Sequence, residues 1–462
     1  MSLDRLIAEN NVIAVVDNQW GDTGKGKIVD FLAEYVDIIA RGNGGANAGH
    51  TISINGNNFI FHLIPSGILY DEDKTNVIGS GVAFDPRSAL EELKFLDRNN
   101  RTYNNLVIAY NAKLVLPQHL LLDKLKGGLN IETTGRGIGP AYVDHVSRIG
   151  LVVRDMLNKD IFYKKLKDNL EEHKIRLRNE DSEKIREILQ HEHLSNSVFY
   201  NEKEIFDIDA IVEKYLEYGE FFKKMIIDTD EFMMDSLGKS KILLEGAQGL
   251  LLSLDSGTYP YVTSCDTSIQ GLAKGVGLHE QNIDLGLSVT KAFYMTRVGG
   301  GSFPTEIKGE EAEVIRKKGN EYGATTGRPR RIGWLDLPLL RYAVKINGPD
   351  IGLTKLDVLD EFDEINLCIA YKYQGPDYNL GSDSILRKGD ILKVAIPYPE
   401  VLDHCEPIYK KFNGWKMNTT GITSYLDLPQ NMREIIKNVE EEANVSVKLI
   451  SNGCDRSQII FI

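Results

Sequence analysis

Cysteine is scarce and scattered in this 462-residue chain. The four cysteines, Cys265, Cys368, Cys405 and Cys454, form no C-x-x-C pair, so neither a cysteine metal site nor a disulfide framework is expected. No run of 18 apolar residues occurs, which leaves no candidate membrane-spanning helix. The stretch from Met1 to Asn11 is polar and lacks the apolar core of a secretory signal, so a reducing cytoplasm is the expected location. Positive charge is in deficit. The chain holds 54 Lys and Arg against 67 Asp and Glu, a net charge of −13, and this speaks against broad binding of nucleic acid or of an anionic membrane. No internal repeat, low-complexity tract or linker is visible.

What is present is glycine, placed in loops. The apolar run Asn11-Val12-Ile13-Ala14-Val15-Val16 empties into Gln19-Trp20-Gly21-Asp22-Thr23-Gly24-Lys25-Gly26-Lys27, where a helical pattern begins. Gly21, Gly24 and Gly26 let backbone N–H groups approach an anion, the helix N-terminus adds positive potential, and Lys25 and Lys27 add full charge. The spacing is not that of a G-x-x-x-x-G-K-[ST] loop. Asp22 is the unusual member. A carboxylate beside phosphate weakens binding, so its presence points to a metal ligand, a catalytic base, or both.

The rest of the chain reads as α/β, with a large, mostly parallel sheet. Strands are expected at 36–41, 77–79, 106–110, 241–244, 351–353 and 445–450. Helices are expected at 87–98, 334–347 and 428–444, and residues 51–64 read as a hairpin turning at Asn55-Gly56. Residues 156–237 are charged, glycine-poor and helical in period, and read as a helical subdomain or insertion within one domain spanning 1–462. Glycine-rich loops repeatedly follow apolar strands, as they do at the ligand-binding edge of an open parallel sheet.

Other loops carry candidate chemistry. Asp357, in Thr354-Lys355-Leu356-Asp357, can accept from both guanine donors, N1–H and the exocyclic amine, a pair that adenine lacks. The Lys355 stem is expected to cover the base with its head in water. His50, in Asn47-Ala48-Gly49-His50-Thr51, can donate to a phosphate oxygen during transfer. Thr133 to Pro140 offers hydroxyls and open backbone. Gly323 to Arg331, with Arg328, Arg330 and Arg331, is the most basic point of an acidic chain, and reads as a mobile loop that captures carboxylate or phosphate. Each of these motifs taken alone is also what a surface turn looks like.

Together these segments resemble the adenylosuccinate synthetase family over nearly the whole chain. The resemblance runs through Gly24 to Asp30, Asn47 to Thr51, Thr133 to Tyr142, Glu245 to Gly249, Gly257 to Ser264, Gly323 to Arg328, Thr354 to Asp360 and Ser451 to Arg456. It implies GTP-dependent ligation of IMP and L-aspartate. Asp22 would be base and Mg²⁺ ligand, with Gly49 as second ligand, and His50, Lys25 and Gln248 would assist catalysis. Lys25, Asn47, His50, Thr134, Gln248, Thr263 and Arg328 would contact IMP, with Arg148 reaching in from the second subunit of a homodimer. Thr325, Thr326, Arg328 and Arg330 would hold aspartate. Gly21, Gly24, Gly26, Lys27, Gly49, Thr51, Arg330, Lys355, Asp357, Ser451 and Gly453 would serve GTP. The chain departs from the family pattern at Thr23, where an acidic residue is usual, at Ala46, at Asp17-Asn18, where glycine and a hydroxyl residue are usual, at Pro329 and at Cys265-Asp266. A relative acting on another 6-oxopurine nucleotide, such as GMP or dGMP, and a GTP-binding regulatory protein without catalysis are the alternatives.

Overall fold

The run VIAVVD is buried along its whole length, as a central strand covered on both faces requires. It is β1 (Val12–Asp17) of a ten-stranded sheet. The structure, a computed structural model, describes residues 2–54, 57–70, 73–125, 133–178, 180, 182–190, 205–323, 327–381 and 384–462, with backbone alone at 51–54, 57, 58, 182 and 190. The other strands of the sheet are β2 (Ile38–Arg41), β3 (Thr75–Ile78), β4 (Leu106–Ala109), β5 (Ile226–Ile227), β6 (Ile242–Glu245), β7 (Leu285–Lys291), β8 (Asp350–Thr354), β9 (Ser446–Ser451) and β10 (Ile459–Phe461). Their order across the sheet is β10-β9-β8-β7-β1-β6-β2-β3-β4-β5. All neighbours pair in parallel except the edge pair β9–β10. The expected α/β class holds.

This topology puts the chemistry at one edge. β1 lies between β6 and β7, two strands from far along the chain, and loops leave the carboxyl ends of all three side by side. Those ends carry polar residues that are at most 2% exposed: Asp17, Arg41, Glu245, Lys291, Thr354 and Ser451. Buried polar groups need partners, so they concentrate where loops and ligands can supply them.

The helices follow local signals. α1 (Lys25–Ala33) opens after Gly24. α2 (Pro86–Arg98) opens with proline after Asp85, whose side chain accepts from Arg87 N and Ser88 N. α3 (Pro117–Leu125), α4 (Ile138–Ser147) and α5 (Lys159–Leu177) lie toward the β4 side. Phe162, Leu166, Ile211 and Phe222 of the helical region share a buried cluster with Phe84, Leu93 and Ile108. That region also supplies strand β5, which its helical period does not announce.

Two other expectations change. The helix expected at 334–347 begins at Leu337, after an Asp336 side-chain cap on Leu339 N. Residues Arg331–Trp334 instead form a strand between Tyr294–Arg297 and Glu306–Ile307. The 51–64 hairpin forms from His50–Ile54 and Asn57–Phe61, while its Asn55-Gly56 turn lies outside the described residues.

Candidate active site

The loop after β1 is shaped for an anion. Gly24 has φ +81° and caps α1 without any side-chain hydrogen bond, so the first N–H groups of the helix carry no side-chain partner from the cap. A β-carbon on Gly26 would sit 3.5 Å from His50 Cβ, at ordinary contact distance, so the histidine strand packs directly against the start of the helix. Thr354 of β8 donates its hydroxyl to Thr23 O at 2.5 Å, holding the loop from the other side. Asp22 sits at its mouth with φ +59° and a third of its side chain exposed. Its Oδ2 is 2.8 Å from Arg330 Nε.

Behind the loop is a buried charge network. His50 Nδ1 is paired with Glu245 Oε1, and Glu245 Oε2 accepts Ser66 N–H at 2.8 Å. Burial opposes ionisation of Glu245, but His50 and Arg41 overcome it and bring its pKa to about 2. Burial pushes the His50 imidazole toward its neutral form. Arg41 is fully buried and donates to His62 O at 2.8 Å. Lys25, 6% exposed, makes no hydrogen bond or ion pair with the described residues. Burial lowers its pKa, against the pull of Asp17, Glu245 and Asp22.

Amides complete this side of the cleft. The buried Nε2 and Oε1 of Gln248 and Oδ1 of Asn47 have no hydrogen-bond partner among the described residues. Such orphaned atoms are costly unless a ligand meets them. Gln248 itself has φ +55°, and a β-carbon on Gly44 would come within 3.1 Å of its Oε1. Asn43 fastens the two loops by accepting Ala247 N–H at 2.9 Å.

Two arginines of the basic loop are held by carboxylates of the protein. Arg330 is buried and pairs with Glu321 at 2.6 Å as well as with Asp22. Arg331 turns away from Asp22 and meets Glu306 through two 2.7 Å contacts. Arg328 is exposed, and Thr325 and Thr326 lie outside the described residues. Glu321 collects three cations: Lys291 at 2.9 Å, Lys355 at 2.8 Å and Arg330. Tyr294 also donates to it at 2.7 Å. Burial opposes ionisation of Glu321, but these cations hold it well below its ordinary range. Burial, with Lys355 and Arg330 adding to it, pushes Lys291 down to about 7 against the pull of Glu321 and Asp22.

On the β8–β9 side, Asp357 lines a cavity of about 520 Å³ together with Lys318, Asp360, Glu361, Lys416, Met417, Asn418 and Thr420. The expectation of a wet Lys355 head is corrected here. Its ammonium donates to Gly319 O and Glu321, both at 2.8 Å, because a carboxylate lies within reach. Lys27 is likewise engaged, donating to Ser451 Oγ at 2.7 Å and to Gly453 O and Gln458 O at 2.9 Å. It therefore fastens the loop after β9 to α1. Burial brings its pKa down to about 8.

The remaining candidates are spread more widely. Gly21 packs on the backbone of Gln248, and Gly49 is exposed beside His50. Thr51 is the second residue of the hairpin, paired with Ile60, and its side chain lies outside the described residues. Thr263 is half-buried and Thr134 exposed. Thr134 belongs to a loop held by Asp123, which accepts from Thr133 Oγ1 at 2.7 Å and Gly137 N at 2.9 Å. Arg148 is exposed in the left-handed cap of α4. Inside α4, Asp144 gathers His119, His173 and Asn169 on one oxygen, at 2.9, 2.8 and 2.7 Å. The set looks like a metal centre, but Leu116 N–H donates to His119 Nδ1 at 3.0 Å. That bond places the proton of a neutral ring on Nε2, where it bonds Asp144. The cluster is therefore a hydrogen-bonded clamp joining α3, α4 and α5.

Arg41, Glu245, Lys291 and Glu321 had no assigned role in the sequence. Their only signal is a charged residue ending, or lying near, an apolar strand.

The comparisons agree with this picture. The profile of the family described as adenylosuccinate synthetase matches residues 14–460. An adenylosuccinate synthetase of Halothermothrix orenii is 43% identical over 96% of this chain and 97% of its own. One of Bacillus licheniformis is 41% identical, with the same coverages. The structure of a fully ligated adenylosuccinate synthetase from Plasmodium falciparum matches with a TM-score of 0.80 at 36% identity, over 98% of this chain and 100% of that one. A cyanophage S-2L succinoaminodeoxyadenylate synthetase, bound to dGMP and dATP, shares the fold at 19% identity, with a TM-score of 0.57 and coverages of 98% and 95%. Among the described residues no helix is long and apolar enough to cross a membrane. With the family matched from one end of the sheet to the other, the chain belongs to the adenylosuccinate synthetases, GTP-using ligases of purine biosynthesis that form a C–N bond.

Proposed function

We propose that this protein joins IMP and L-aspartate using GTP, through 6-phosphoryl-IMP, to give adenylosuccinate, GDP and inorganic phosphate. The observation that carries this is Asp22, a partly exposed carboxylate set at the mouth of an α-helix with no side-chain cap. Asp22 takes the N1 proton of IMP, and O6 attacks the γ-phosphorus of GTP as GDP leaves. The aspartate amine then attacks C6 and phosphate leaves. Phosphorylation thus turns a poor leaving group into a good one.

The orphaned amides of Gln248 and Asn47 suit the purine and its ribose phosphate. Lys25 and the Lys291–Arg330–Lys355 group supply positive potential for charge that spreads during transfer. Glu245 holds Nδ1 of His50. A phosphate oxygen meeting Nε2 restores the proton that burial removes, so His50 donates only when phosphate is present. Asp22 and the Gly49 carbonyl, both hard oxygen donors, would hold Mg²⁺, which when bound neutralises charge on the transferring group. Thr325, Thr326 and Arg328 bind aspartate, Asp357 reads guanine, and Arg148 completes the partner's site in a cytoplasmic homodimer.

The test is phosphate release with IMP, aspartate and GTP, each omitted in turn, and with GMP or dGMP in place of IMP. Release that needs all three supports the reading. Release with GMP or dGMP alone replaces it by the related ligase. GTP binding without turnover replaces it by a regulatory role.

A further inference from the structure

We propose that Asp17 is a positioning residue of the transfer reaction, bracing the phosphate loop from inside and supplying the negative charge that steadies the Lys25 ammonium. This rests on the function proposed above. Asp17 ends β1 and is 1% exposed. Its Oδ1 accepts Gln19 N–H at 2.7 Å, and its Oδ2 accepts the Thr23 hydroxyl at 2.6 Å. One carboxylate therefore ties the start of the loop to its middle, on both sides of Gly21 and Asp22. The space is reserved for it: a β-carbon on Gly249 would come within 2.6 Å of Asp17 Oδ1. Of the three positions where this segment departs from the family pattern, 17, 18 and 23, the first and last are bonded to each other. The acid absent from position 23 is thereby regained at the strand end, against the same hydroxyl.

Lys25 has no direct ion pair among the described residues, so its charge depends on the groups around it. These are Asp17 at the end of β1, Asp22 in the loop, Glu245 at the end of β6 and Arg41 at the end of β2, with His50 beyond Glu245. Burial drives the Lys25 pKa down, with Asp17 the foremost opposing charge, and burial raises the Asp17 carboxyl in turn, against Lys25, the Thr23 hydroxyl and the Gln19 N–H. Asp17 thus keeps a buried lysine charged without occupying it, which leaves the ammonium to an incoming phosphate.

The experiment uses the full chain and three variants: Asp17→Asn, Asp17→Gly, and Asp17→Gly combined with Thr23→Glu. Charged hydrogen bonds of this kind are worth enough to lower kcat about ten- to a hundredfold in Asp17→Asn. The alkaline limb of its kcat profile moves to lower pH by about one unit, since the Lys25 proton is held less tightly. A bracing role without charge would lower the melting temperature and leave that limb in place. The combined variant returns a carboxylate from the other wall and recovers about tenfold or more over Asp17→Gly. An Asp17→Asn enzyme with unmoved limb and wild-type kcat overturns the proposal, as does a soluble combined variant that recovers nothing. If the combined variant does not fold, the limb of Asp17→Asn decides. Wild-type turnover is measured alongside: an inactive wild type refutes the proposed function, whereas an active one with indifferent Asp17 refutes this inference alone.

Discussion

Two carboxylates in this molecule each gather several side chains, and they do opposite things. Glu321 collects Lys291, Arg330 and Lys355. Asp144 collects His119, His173 and Asn169. Around Asp144 the donors bring hydrogen bonds, and a neutral His119 adds no charge. Around Glu321 stand three cations against two carboxylates, Glu321 itself and the Asp22 that also pairs with Arg330, so positive charge stays in excess even with Lys291 pushed down to about 7. The first arrangement is closed and staples three helices. The second is open to a further anion, and it sits where the loops converge. The number of contacts does not separate a site from a brace; the charge left over does.

The comparison is broken most directly at Glu321. Glu321→Gln leaves three cations crowded, and removing one partner of buried ion pairs costs about 3–5 kcal/mol. Urea unfolding measures this. Inorganic phosphate should then raise the melting temperature of Glu321→Gln more than that of wild type. An equal response would mean that no excess charge exists there. Asp144→Asn keeps one acceptor and loses the charge behind it, a cost of about 1.5–3 kcal/mol. It should respond to phosphate as wild type does, and a heightened response would undo the contrast.

Acid sharpens the comparison further. Burial opposes ionisation of Asp144, yet the hydrogen bonds from His119, His173 and Asn169 hold its carboxyl well below the ordinary range. Burial lowers His119. For both groups the folded pKa is depressed, so the unfolded chain binds more protons as pH falls and stability is lost. The His119 contribution begins near its unfolded value, at about pH 6.5, and is worth up to about 1.4 kcal/mol per pH unit for one proton. Unfolding free energy measured from pH 7 to 5 should therefore have a shallower slope in His119→Gln. An unchanged slope would mean that His119 titrates alike in the folded and unfolded chains, and a steeper one that it is already protonated in the fold. The smallest effect belongs to Arg331, whose pair with Glu306 is partly exposed. Arg331→Lys should cost about 0.2–1 kcal/mol and leave kcat alone. A large drop in kcat would return Arg331 to the ligand loop.

The β1–α1 loop was legible because its signals are local: an apolar run, three glycines and a helix start. Asp144 and Glu321 were not, because their partners arrive from α3 and α5, or from strand ends far along the chain, and no periodicity relates them. The long antiparallel pair Glu364–Tyr373 with Cys405–Asn413 was also missed. Its register shifts between Cys368 and Ala370, which interrupts a two-residue alternation, and the second strand is largely exposed. The early start given to the 334–347 helix overlooked Asp336 followed by Pro338, an ordinary opening. Lys355 was misplaced because the carboxylate that captures it stands 34 residues earlier.

The bond from Lys27 to Ser451 spans 424 residues. Closing so long a loop is slow and adds little until both ends are in place. On a ribosome, α1 emerges early and stays without this fastening until nearly all of the described chain has been made. The nucleotide site is thus assembled from opposite extremes of the synthesis schedule, and a chain halted short of residue 451 cannot hold one end of it.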